Sequence, residues 1–133
     1  ANATQAAGGI SDLRGTRVSG SKAVTGRCCV VSMEAAEAGR PLEGFTDGDI
    51  IVCSMVHPAW LPFVLRSGGV VSEVGGWLSH MAIVAREHDI AMIVGARGVQ
   101  AIPSQSRLRL HPSGEVEVLD SQIKDGTSDT VLV

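Results

Sequence analysis

The segment Val70–Gly95 reads VVSEVGGWLSHMAIVAREHDIAMIVG. It opens on a short apolar run with no alternation (Val70–Val74), the pattern of a strand buried on both faces. Gly75-Gly76 makes a turn, and Ser79–His88 then reads as the best helix in the chain, with Ser79 at its N-cap and Asp89 closing it. A second apolar run, Ala91–Gly95, follows. Strand, helix, strand over so few residues predicts a βαβ unit with parallel strands.

Working outward, Asp49–Ser54 is another short apolar run and predicts a central strand. Pro58 starts a short helix that Pro62 interrupts and Gly68-Gly69 ends. Upstream lie a strand near Thr16–Val18, a turn at Gly20 and a strand over Gly26–Ser32. Residues 34–48 read as a loop holding at most one helical turn. Downstream, Arg107–Asp120 reads as a hairpin turning on Pro112-Ser113-Gly114. The expected fold is a mixed α/β domain over residues 13–120. Residues 1–12 read as a flexible linker and residues 121–133 as a polar tail.

The bulk numbers suit a folded domain. The 133 residues are 44% hydrophobic and 19% charged, enough apolar material for a core. With two Phe, two Trp and no Tyr, that core has to be built from Val, Ile, Leu and Ala. A net charge of −3 with no basic stripe argues against nucleic acid. No apolar run is long enough to span a bilayer, and ANATQAAGG lacks the pattern of a signal peptide. Cys28, Cys29 and Cys53 form no CxxC pair and read as thiols of a reducing cytoplasm.

A glycine turn that delivers a helix start gathers unpaired backbone N–H groups, and these favour negative charge. His80 falls in the first helical turn. A neutral imidazole there is a nucleophile whose phosphorylated form is an anion that the helix start stabilises. Gly75 and Gly76 leave room for a second reactant. A packed or solvated helix histidine fits the same residues. A hydrolase using Ser79 lacks the GxSxG elbow, no metal-ligand spacing occurs, and neither GxGxxG nor GxxxxGK[ST] is present.

The run SEVGGWLSHMAIVAREHDIAMIVG resembles the phosphohistidine signature of the phosphoenolpyruvate-utilising enzymes, T/S-E-x-G-G-x-x-S-H-x-A-I-x-A-R-E-x-x-I-P-x-V-x-G. Pyruvate phosphate dikinase, phosphoenolpyruvate synthase, Enzyme I of the sugar phosphotransferase system and rifampicin phosphotransferase belong to that family. GTRVSGSKAVTGRCCVV is similar to its leading motif, and RLRLHPSGEVEVL to its closing hairpin. The resemblance implies the swivelling β/β/α phosphohistidine domain, with a mixed, partly parallel sheet and short flanking helices. It implies a carrier in which His80 is phosphorylated and relays phosphate between a nucleotide site and an acceptor such as pyruvate. The supporting loop and helix start are Glu73, Gly75, Gly76 and Ser79, and Arg86 is a docking or structural residue. An ATP-grasp-type nucleotide-binding partner and an acceptor-binding partner are implied. Mg²⁺ and ATP or phosphoenolpyruvate are expected on those partners, with no cofactor or metal bound by this chain alone. The alternative is a non-catalytic swivel or docking module of the same fold.

Departures from the signature are Leu78 where the family commonly has Thr, Asp89 where it often has Gly, and Ala91 where it has Pro. Ser104–Ser106 replaces its usual Asp-Gly. Trp60 and Trp77 suit either partner docking or core. His57 reads as a loop residue near the site, and His88 and His111 as surface residues.

Overall fold

The computed structural model describes residues 13–38, 41–75 and 79–120; the expected linker and tail lie outside them, as do Gly76, Trp77 and Leu78. The described residues form seven strands and three short α-helices. They run β1 (Thr16–Ser19), β2 (Val24–Val30), α1 (Met33–Ala38), β3 (Ile50–Cys53), α2 (Leu61–Arg66), β4 (Gly69–Ser72), α3 (His80–Glu87), β5 (Met92–Val94), β6 (Arg107–Leu110) and β7 (Val116–Asp120). Their order in the sheet is β1-β5-β4-β3-β2-β6-β7. The central strands β2, β3, β4 and β5 are parallel, and β1, β6 and β7 join antiparallel.

The apolar runs are buried on both faces, as parallel strands require. On one face Ile51, Cys53, Val70, Met92 and Val94 meet Trp60, Val64, Met81, Ala82 and Ala85 from the helical side. On the other, Ile50, Val52, Val71 and Ile93 meet Leu108, Leu110 and Val116 of the closing hairpin. The hairpin reaches that face because β2 changes partner along its length. Val24–Arg27 pair with β6, while Cys28–Val30 pair with β3. The curl closes where the Gly15 N–H donates to Gly114 O (2.9 Å) and the Val116 N–H to Leu13 O (2.9 Å). Gly114 has φ +99° there, and a Cβ on it would lie 2.1 Å from Gly15 O, so no side chain fits.

Several expectations shift. Residues 33–38 form a six-residue helix rather than at most one turn, capped where the Ser32 hydroxyl accepts the Ala35 N–H (3.1 Å). Its Ala and Glu residues are good helix formers, but they carry no apolar period. β2 begins at Val24 and ends at Val30, two residues earlier at both ends than expected. The expected helix at Pro58 is a 3₁₀ turn (Pro58–Trp60) running into α2, and Gly69 begins β4 instead of ending the helix. Trp60 is fully buried, which settles it as core. His111 is half-buried and bonds through Nε2 to Glu117 Oε1 (2.8 Å) across the hairpin, so it is more than a surface residue.

Candidate functional site

Crossovers between parallel strands leave open ground beyond the strands' carboxyl ends, where α/β folds place their ligands. Here the segments that follow β3 and β4 meet. The buried Ser72 hydroxyl reaches the carbonyls of Ser54 (3.1 Å) and Val74. The Val74 N–H donates to Ser54 O (2.9 Å) and the Glu73 N–H to Cys53 O (3.1 Å). These bonds fix the path of the chain up to Gly75, whose φ of +135° is one that L side chains rarely adopt.

α3 begins at His80. Ser79, extended at φ −65° and ψ 152°, is its N-cap, and its hydroxyl accepts the Ala82 N–H at 3.1 Å. The N–H groups of His80 and Met81 have no acceptor within a helix that starts there. The opposite face of α3 presents Met81, Ala82 and Ala85 to the core, and the two small alanines let it lie close on the sheet. His80 itself is exposed. It stands at the rim of a cavity of about 240 Å³ whose walls come from three places. Met55, Val56 and Pro58 follow β3, Val74 and Gly75 follow β4, and Met81 and Met92 stand with Ser79 below the helix.

Glu73 and Arg86 point elsewhere. The Glu73 carboxylate accepts the Gly98 N–H (3.0 Å), which ties the end of β4 to the loop after β5. The Arg86 guanidinium donates through Nε to Val18 O (3.0 Å), pinning α3 to β1. Gly76 lies outside the described residues. His57 caps the 3₁₀ turn beside the cavity, its Nδ1 accepting the Ala59 N–H at 3.0 Å. Ser72 and the Met55–Pro58 wall were not legible as site residues. Only the polar Ser72 at the end of an apolar strand carried a signal. Among the described residues, Asp89 and Gln105 are the non-glycine residues with positive φ, at +55° and +74°. Asp89 stands where the family often has glycine, and Gln105 lies in the Ser104–Ser106 run that replaces its usual Asp-Gly.

All three cysteines are free, Cys28 and Cys53 buried and Cys29 half-buried. Burial pushes each thiol up, Cys53 to about 12. Among the described residues no three His, Cys, Asp or Glu side chains group to hold a metal, and no helix is long and apolar enough to cross a membrane.

Three kinds of comparison bear on this geometry. Thermococcus kodakaraensis aconitase X superposes with a TM-score of 0.63 over 82% of this chain and 98% of that one, at 18% identity. Enzyme I (nEIt) superposes with a TM-score of 0.51 over 68% of this chain and 38% of its own, at 20% identity. Both likenesses show the fold alone. Rifampicin phosphotransferase of a Streptomyces species is 40% identical over 98 residues, 72% of this chain and 11% of that protein. Phosphoenolpyruvate synthase of Aeropyrum pernix is 37% identical over 65 residues, 49% of this chain and 8% of that protein. The chain thus spans about a tenth of the length of these curated relatives, which are larger phosphotransferases. Residues 45–133 match the model of the PEP-utilising enzyme mobile domain, a span that holds the cavity and α3, while the leading motif lies before it. The chain belongs to the family of phosphoenolpyruvate-utilising enzymes, as their mobile domain.

Proposed function

We propose that this chain is a phosphoryl carrier and that His80 is the residue phosphorylated. One observation carries the reading. His80 is exposed at the first position of α3, beside an open cavity and a capped helix start. In the first step a neutral imidazole nitrogen gives its electron pair to phosphorus. The P–O bond of the donor breaks, and its electron pair leaves on the donor oxygen. The phosphorylated ring then lies near the N–H groups of His80 and Met81, where the helix dipole favours an anion. In the second step an acceptor oxygen attacks phosphorus, the N–P bond breaks, and the ring nitrogen recovers its electron pair. The acceptor proton passes to that nitrogen or to water.

The donor site belongs to an ATP-grasp-type nucleotide-binding partner, and the acceptor, pyruvate or another hydroxyl or enolate oxygen, to a second partner. Mg²⁺ and ATP or phosphoenolpyruvate reside with those partners. The isolated chain therefore turns over nothing by itself. A reducing cytoplasm suits its three free cysteines.

Intact-mass analysis at alkaline pH, where phosphohistidine survives, tests the reading. The chain is incubated with host extract and either ATP or phosphoenolpyruvate, beside His80→Ala. One acid-labile phosphate, absent from the variant, is the expected result, and the effective donor gives the direction of transfer. A second reading is a docking module of the same fold without phosphotransfer. It predicts no phosphate from either donor on a folded chain.

A further inference from the structure

Five large apolar side chains stand exposed among the described residues: Met55, Leu65, Val74, Ile83 and Leu119. Scattered singly, such residues need no explanation, whereas a group of them around a reactive side chain does. Three of the five are grouped. Met55 (43% exposed) and Val74 (53%) line the cavity whose rim holds His80. Ile83 (40%) follows His80 by three residues in α3, the spacing that puts two side chains on one helix face. Among the described residues, no titratable side chain apart from His80 itself lines the cavity. The nearest motif charges are committed elsewhere, Glu73 to the Gly98 N–H and Arg86 to Val18 O.

Phosphoryl transfer sets a hard geometric condition. The attacking nitrogen has to approach phosphorus to about 3–3.5 Å before the bond forms. Side chains within one residue's reach of His80 must then touch whatever holds the donor. A transferring phosphoryl group also needs cations to spread its charge, and among the described residues no Lys or Arg lines the cavity. The partner surface that fits is therefore a cationic centre inside an apolar rim. We infer that Met55, Val74 and Ile83 form a collar that seats on such a rim around the phosphoryl-donor site of the nucleotide-binding partner. Seating excludes water from the phosphorus under attack, so that His80 rather than water receives the phosphoryl group. The inference rests on the carrier role of His80 proposed above.

The test compares two donors on the same set of chains. Host extract with ATP or phosphoenolpyruvate phosphorylates His80 only through the partner. Phosphoramidate, a small donor, phosphorylates an accessible histidine with no partner. Val74→Glu and Ile83→Glu place a charge in the collar, Val74→Ser and Ile83→Ser remove its apolar surface without adding charge, and Leu65→Glu places a charge outside it. The expected result is that each collar Glu variant loses about tenfold or more in initial rate with extract, as charges buried at an interface core do. With phosphoramidate the Ser variants stay near the wild type. The Glu variants slow there only by the repulsion between their carboxylate and the phosphate, less than they slow with extract. Leu65→Glu stays near the wild type with both donors. The Ser pair gives the same ordering should a Glu variant fail to fold. Collar variants that keep the wild-type rate in extract overturn the collar, and so does equal slowing with both donors, because the defect then lies in His80 itself. A wild-type chain that takes phosphate from phosphoramidate but never from extract defeats the carrier reading, and the collar with it.

Discussion

Substitutions at Ser79 separate what the cap does for the helix from what the helix start does for a phosphate. The Ser79 hydroxyl holds the Ala82 N–H at 3.1 Å. Ser79→Ala deletes that acceptor and costs about 1 kcal/mol, which lowers the melting temperature by about 4–8 °C in a domain near this size. Ser79→Asn and Ser79→Asp both restore a capping oxygen and are expected to melt near the wild type. They differ by one charge. A carboxylate in the residue beside His80 lies about 6 Å from a phosphoryl dianion, and at an effective dielectric of about 40–80 the repulsion is about 1.4–2.8 kcal/mol. That corresponds to about a tenfold to hundredfold loss in the extent of phosphorylation. The assay is the intact-mass measurement at alkaline pH with limiting donor, at low and at high salt. The Asn variant is expected to match the wild type, and the Asp variant to fall behind it by a gap that narrows as salt screens the pair. Equal phosphorylation of Asn and Asp variants at low salt would refute the idea that the helix start senses the phosphate. A folded Ser79→Ala chain with no phosphate would instead give the hydroxyl a chemical role.

Three further outcomes follow from the packing. Trp60 is fully buried against the helical face of the sheet, so Trp60→Ala is expected to cost about 3–5 kcal/mol in urea unfolding. Gln105 holds φ at +74° while its N–H bonds Cys28 O. Gln105→Gly relieves that conformation, offset in part by the freer unfolded chain, and should raise stability by about 0.5–1 kcal/mol, read from the denaturation midpoint. Burial pushes the Cys53 thiol from 9.0 up to about 12, so the folded state keeps a proton that the unfolded chain sheds above its ordinary value. Stability is then full below pH 9.0 and falls toward about pH 12, by about 1.4 kcal/mol per pH unit. Urea titrations under reducing conditions across that range should show a shallower decline for Cys53→Ala, with Cys28 and Cys29 accounting for the remainder.

The parallel centre and the start of α3 were legible because their determinants are local. A strand buried on both faces has to be a continuous apolar run, and β3, β4 and β5 are such runs. A helix start has to be capped, and Ser79 announces it one residue before His80. The turn positions were legible for the same reason, since the chemistry of Gly114 and of Asp89 acts within a few residues. α1 escaped because six helix-forming residues without an apolar period leave no mark that separates a helix from a loop. Trp60 escaped because a tryptophan in a loop near the expected site reads equally as rim or as core, and only the sheet beneath it decides.

What the sequence determined by itself was the kind of element along the parallel centre, the closing hairpin and the capped start of α3, because capping, turn chemistry and hydrophobic period are set by neighbours in the chain. What only the tertiary structure decided was which segments meet. β1 pairs antiparallel with β5 at one edge of the sheet, β2 divides its hydrogen bonds between β3 and β6, and Glu73 and Arg86 turn to Gly98 and Val18 rather than to His80. The walls of the cavity at His80 come from loops more than 20 residues apart in the chain, Met55 on one and His80 on the other. No local pattern encodes such contacts, since they arise from the global arrangement that buries the apolar runs and satisfies the backbone polar groups together.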